Sequence, residues 1–145
     1  AGFLALGPVV VLLMWRLFAI PWWAGVLALP LAMLMGVVAA RLSDVVVITS
    51  DNPRSEDPQR IVDEIKRGIP AGSQATGRTP DIQTVVDRRE AIERAIELSE
   101  PGDVVLIAGK GHEKYQEIGG RTYPFDDVAV AREALESRRV KSRGG

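Results

Sequence analysis

Two short loops concentrate the residue types that do chemistry in this chain. The first is Asp51-Asn52-Pro53-Arg54. Pro53 fixes its own backbone and restrains Asn52 before it, so neighbouring side chains are presented from a stiff turn. Asn52 offers an amide donor and an acceptor, and Arg54 a planar fork matched to a carboxylate. Together they are suited to gripping a zwitterionic amino acid by its carboxylate. The plainer alternative is an ordinary turn with a solvated arginine. The second loop is Gly109-Lys110-Gly111-His112-Glu113. Its glycines permit close backbone approach, and Glu113 can accept hydrogen bonds from a ligand ammonium. A phosphate-binding loop is the rival reading, and it fails in detail. A dinucleotide fingerprint needs glycine where Lys114 stands, and a Walker A loop needs Ser or Thr where Gly111 stands. Lys141-Ser142 is preceded by Val140 instead of glycine. His112 is the only histidine and there are no cysteines. Neither a metal cluster nor a histidine-based triad is therefore expected, and no residue is assigned to a metal.

The elements around these loops predict where they lie. Asp44–Ser50 and Asp103–Ala108 are short β-branched apolar runs, the pattern of strands buried on both faces, and each ends at one of the two loops. Asp57 and Pro58 open a helix with Ile61, Val62, Ile65 and Ile69 at helical spacing, ended by Gly68 and Pro70. Residues 71–81 read as a loop and Ile82–Val86 as a short strand. Asp87 with Glu90 forms a capping box before a second helix, whose inward face is Ala91, Ile92, Ala95, Ile96 and Leu98. Tyr115–Ile118 and Thr122–Phe125, around Gly119-Gly120, read as a β-hairpin. Asp126 or Asp127 caps a last helix to about Arg138, and residues 139–145 form a polar tail. Strand alternating with helix predicts an α/β domain over residues 35–138: a Rossmann-like, mostly parallel sheet with a β-hairpin. In such sheets ligands bind at the carboxyl ends of the strands, so both loops should meet at one edge.

The chain has 145 residues, enough for one domain, and a formal net charge of -1, which gives no basic field for nucleic acid. The absence of cysteine fits a reducing cytosol. Charge is distributed unevenly: residues 1–40 carry only Arg16. Residues 1–15 are apolar but short for a membrane span. Residues 17–40 are uncharged and long enough to cross a hydrocarbon core of about 30 Å as a helix. Pro21 and Pro30 would kink it, Trp22 and Trp23 suit an interface, and Arg41 suits a flanking anchor. Residues 1–34 are thus expected to be an apolar helical segment, either a membrane anchor or a junction foreign to the domain. Membrane association through residues 1–40 follows from the first of these.

Three motifs in order then carry a resemblance: Asp51-Asn-Pro-Arg-Ser-Glu-Asp-Pro58, Leu106-Ile-Ala-Gly-Lys-Gly-His-Glu113 with Tyr115-Gln116, and Phe125-Asp-Asp127 with Val130-Ala-Arg-Glu-Ala-Leu135. From about Met35 to Glu136 the chain resembles the C-terminal domain of the Mur ligases that add meso-diaminopimelate to the peptidoglycan precursor. That resemblance implies a cytoplasmic, three-domain, ATP- and Mg2+-dependent amide-forming ligase acting on UDP-MurNAc-L-Ala-D-Glu. It implies that Asn52, Arg54, Gly109 and Glu113 bind meso-diaminopimelate, supported by Asp51, Pro53, Lys110, Gly111 and His112. Arg54 would favour diaminopimelate over lysine, because lysine lacks the second carboxylate and would leave the arginine unpaired. The resemblance breaks at Trp23–Met33, where the family has a Gly-Asp-Arg-Asp…Gly-Lys-Arg-Pro stretch, and an arginine of the amino-acid site would align near Leu27. The expectation is a chain that is inactive alone, binds neither ATP nor Mg2+ by itself, and holds diaminopimelate weakly. Two other readings remain: a membrane-anchored binding module without catalysis, and a related amide ligase of the folylpolyglutamate or cyanophycin synthetase type.

Overall fold

The computed structural model describes residues 9–14, 34–53, 57–70, 79–110 and 113–143. Strand β1 (Val9–Met14) leads to helix α1 (residues 34–42) and strand β2 (Val45–Ser50). Helix α2 (Pro58–Gly68), β3 (Asp81–Thr84), α3 (Arg88–Leu98) and β4 (Val105–Ala108) follow. The chain continues through β5 (Tyr115–Ile118) and β6 (Arg121–Pro124) to α4 (Asp127–Arg143). The first four strands form one sheet in the order β3-β2-β1-β4, with every neighbouring pair parallel. β5 and β6 form a separate antiparallel hairpin. The expected Rossmann-like sheet with a hairpin is therefore present.

The expectation of an apolar helical segment ahead of the domain needs correction. Val9–Met14 is a strand, paired with β2 on one edge and β4 on the other. A six-residue apolar run shows no alternation when it serves as an inner parallel strand, so periodicity alone cannot separate it from part of a helix. Most of the helix expected over residues 17–40 lies outside the described residues. Its described end belongs to α1, and no described helix is long and apolar enough to cross a membrane.

β2 explains how the layers hold together. Val46 and Ile48 face α1 and α2, where they pack with Ala39, Ala40, Val62, Ile65 and Ile69. Val47 faces the other way, onto Ala91 and Ala95 of α3. All three strand residues are fully buried, as the continuous apolar run requires. A third cluster, Ile92, Ile96 and Val130, joins α3 to α4. Local signals set the helix starts. Asp57 accepts from the Gln59 N–H at 3.0 Å with Pro58 in the first turn, and Asp87 accepts from the Glu90 N–H at 2.9 Å. At the hairpin turn Gly119 and Gly120 have φ of 57° and 73°, the left-handed pair that matches strand twist.

α4 runs to Arg143, beyond the end near Arg138 that the sequence suggests. Arg138 docks against the carboxyl end of α3, where its Nη1 donates to the Ile96 carbonyl at 2.6 Å and to Ser99 Oγ at 2.7 Å. Arg139 and Lys141 then lie in the last turns, where cations suit the helix dipole.

α1 approaches α2 closely through Gly36. A Cβ there would sit 3.2 Å from Ile65 Cγ2 and 3.3 Å from Ile69 Cγ1. Gly36→Val is expected to destabilise the fold by about 1–3 kcal/mol through overpacking. A urea midpoint unchanged from that of the parent would contradict this packing.

Candidate amino-acid site at the carboxyl edge of the sheet

The strand order places a switch point between β1 and β4. The chain runs outward from β1 through β2 to β3, then returns to the opposite side of β1 as β4. Ligands of open α/β sheets lie beyond the strand carboxyl ends at such a point. The loops after β2 and β4 both leave from that edge. Thr49 Oγ1 and Ser50 Oγ donate to the Val86 carbonyl at 3.0 and 2.9 Å, tying the end of β2 to the chain leaving β3.

A buried ionic network joins the two loops. Lys110 Nζ lies 2.7 Å from Asp51 Oδ1, with both side chains essentially fully buried. Arg88, at the start of α3, places Nη1 3.7 Å from the same oxygen. Its Nε donates to Asp127 Oδ1 at 2.7 Å and its Nη2 to Asp127 Oδ2. Two cations and two carboxylates thus balance inside the domain, which offsets a desolvation cost that neither sign could bear alone. Lys110 Nζ also sits 5.7 Å from the Phe125 ring centroid, within cation–π range.

Asn52 is the second clasp. Its Oδ1 accepts from the Glu117 N–H at 2.9 Å and its Nδ2 donates to Glu113 Oε2 at 3.0 Å. Gln116 Nε2 donates to the Asp51 carbonyl at 2.8 Å. β5 is therefore stitched to the first loop along its length. Asn52 and Glu113 are only partly buried. Each retains hydrogen-bonding capacity beyond this pair: a second N–H on Asn52 and further carboxylate lone pairs on Glu113.

Of the residues singled out in the sequence, Asp51, Asn52, Pro53, Lys110 and Glu113 come together, with Gly109 at the end of β4. Gly109 has φ of 111°, a conformation open to glycine, and is exposed. Arg54, Gly111 and His112 lie outside the described residues. Sequence reasoning did not single out Arg88 or Asp127 as members of this site. One signal for Arg88 exists: a cation in the first turn of a helix opposes the dipole, a misfit that asks for a carboxylate partner. Nearby, a hydrogen bond from Lys114 holds the Asp126 carboxyl below the usual aspartate range, helped by the Val128 N–H that Asp126 caps.

Comparison with known proteins gives a consistent picture. The family described as Mur ligase, glutamate ligase domain, matches residues 25–111. The UDP-N-acetylmuramoyl-L-alanyl-D-glutamate–2,6-diaminopimelate ligase of Thermosynechococcus vestitus is 53% identical over 106 residues, covering 72% of this chain and 20% of the relative. That of Geobacillus thermodenitrificans is 52% identical over 106 residues, covering 73% and 20%. A solved structure of a ligase with the same name superposes with a TM-score of 0.72 at 35% identity, covering 92% of this chain and 24% of that one. The chain thus spans about a fifth of the length of the curated relatives it matches.

Proposed function

This chain belongs to the Mur ligase family through its glutamate ligase domain, and from that premise we propose that it recognises meso-diaminopimelate for addition to UDP-MurNAc-L-Ala-D-Glu in peptidoglycan synthesis. The observation that carries this reading is the Asn52–Glu113 hydrogen bond, which brings the two recognition loops together at the carboxyl edge. The Glu113 carboxylate receives the ammonium at the non-reacting end of the amino acid. The Arg54 fork takes the neighbouring carboxylate, and Asn52 adds an amide contact. Gly109 admits the ligand against the backbone. The opposite amine is left free to form the amide.

The complete reaction in this family draws on ATP and Mg2+ to activate the acceptor carboxylate. Lys110, the lysine flanked by glycines, is turned inward onto Asp51 and cannot face a phosphate. No group of three or more His, Cys, Asp or Glu able to hold a metal ion occurs among the described residues. The role proposed for these residues is to bind and orient the incoming amino acid.

A heteronuclear NMR titration of the 145-residue chain with meso-diaminopimelate tests the proposal. The Asn52 side-chain amide and the Gly109 and Glu113 backbone amides should shift saturably. Shifts confined to residues away from this edge, or none at millimolar ligand, would contradict it.

A further inference from the structure

The buried network contains more charge than is needed to join two loops, and its arrangement is asymmetric. Asp51 Oδ1 has two cations within reach, yet it bonds closely to only one of them: Lys110 at 2.7 Å, against 3.7 Å for Arg88 Nη1. Arg88 Nη1 is buried and has no hydrogen-bond partner, so the nearer carboxylate would be its natural acceptor. It is kept off by geometry. The planar guanidinium presents two donors to Asp127, and that grip fixes the plane of the fork. Asp127 stands in the first turn of α4, outside both loops.

We propose that Asp127 is a positioning residue of the amino-acid site: by chelating Arg88 it reserves Asp51 for Lys110 and so holds the two recognition loops together. This rests on the reading that Asn52 and Glu113 hold the amino acid. Asp51 directly precedes Asn52, and Lys110 starts the turn that leads to Glu113, whose N–H donates to the Lys110 carbonyl at 3.3 Å. A shift of Lys110 away from Asp51 therefore moves Glu113 relative to Asn52. With Asp127 weakened, the Arg88 fork rotates onto Asp51 and displaces Lys110. α4 then sets the spacing of the binding pair through Arg88.

Two variants release the fork in different ways. Asp127→Asn removes the chelating charge. Arg88→Lys keeps the network neutral but replaces the fork with a single rotatable ammonium, and it serves where Asp127→Asn folds poorly. In both, the 15N–1H signal of the Lys110 ammonium, protected in the parent by its buried bond to Asp51, should shift or exchange away without any ligand present. Affinity for meso-diaminopimelate, read by NMR titration, should fall about tenfold for Asp127→Asn and several-fold for Arg88→Lys. The double variant Arg88→Met/Asp127→Asn removes the competitor together with its restraint and leaves Lys110 paired with Asp51. It should recover the ammonium signal and an affinity within about threefold of the parent. A purely structural role predicts the opposite for the double variant, with both defects retained. An unchanged Lys110 signal in the folded single variants, or no recovery in the double variant, overturns the proposal. If the parent itself does not bind meso-diaminopimelate, the functional reading fails, while the ligand-free ammonium signals still decide the role of Asp127.

Discussion

Lys110→Met is expected to destabilise the chain by about 3–5 kcal/mol, because it leaves Asp51 buried with only the longer contact to Arg88. The methionine fills most of the lysine stem volume, so the loss reports on charge more than on packing. The companion change separates these causes. Adding Asp51→Asn to Lys110→Met removes the stranded carboxylate, and the double variant should be more stable than the sum of the two single losses predicts. A coupling energy of about 1–3 kcal/mol from urea unfolding of the four proteins would establish the pair. Additive effects would show that the 2.7 Å contact contributes no specific interaction. The loops should separate in the single variant as well, so the Asn52 side-chain amide signal should move even in molecules that remain folded.

Ile48→Ala should be comparably severe, at about 2–5 kcal/mol. Ile48 is fully exposed to the core and hidden from solvent, at the centre of the cluster joining β2 to α1 and α2. Its carbonyl also accepts the Val85 N–H at 2.9 Å at the exit from β3. Truncation leaves a cavity between two helices that cannot both close on it. Ile48→Val should cost only about 0.5–1.5 kcal/mol. Thermal unfolding of the two variants measures the ratio. Equal, small losses would mean that β2 is less tightly enclosed than its burial indicates. A typical domain holds about 5–15 kcal/mol in total, so the alanine variant leaves little reserve. Because β2 delivers Asp51 and Asn52 directly to the site, diaminopimelate binding should weaken along with stability.

The parts of the fold visible in the sequence were those with local chemical signals. Asp57 with Pro58 and Asp87 with Glu90 mark helix starts by capping, a contact made within a few residues. The meeting of the two loops was also legible, because parallel strands send their carboxyl ends to one edge. β1 was not legible in the same way. Its residues share the apolar composition of the segment that follows, and pairing with β2 and β4 is what distinguishes them.

The ionic network was hidden for a different reason. Arg88 and Arg89 are adjacent and chemically identical, yet Arg88 is buried against Asp127 while Arg89 is half exposed and bonds to Glu133. The Glu133 hydrogen bond even raises the Arg89 pKa above its ordinary value. Which arginine turns inward depends on the rotation of α3 against β2, a tertiary property. Lys110 illustrates the same limit. Its flanking glycines carry no signal of the buried carboxylate it meets, and the structure turns it inward to Asp51.

Recognition of the amino acid is tested most directly by the selectivity of the chain between meso-diaminopimelate and L-lysine, measured by parallel NMR titrations of the parent and Arg54→Ala. The parent should bind diaminopimelate at least about tenfold more tightly than lysine, since lysine offers no second carboxylate to the arginine. Arg54→Ala should lose most of that preference while keeping its fold. Equal affinity of the parent for the two amino acids, or a preference that survives removal of Arg54, would contradict this recognition.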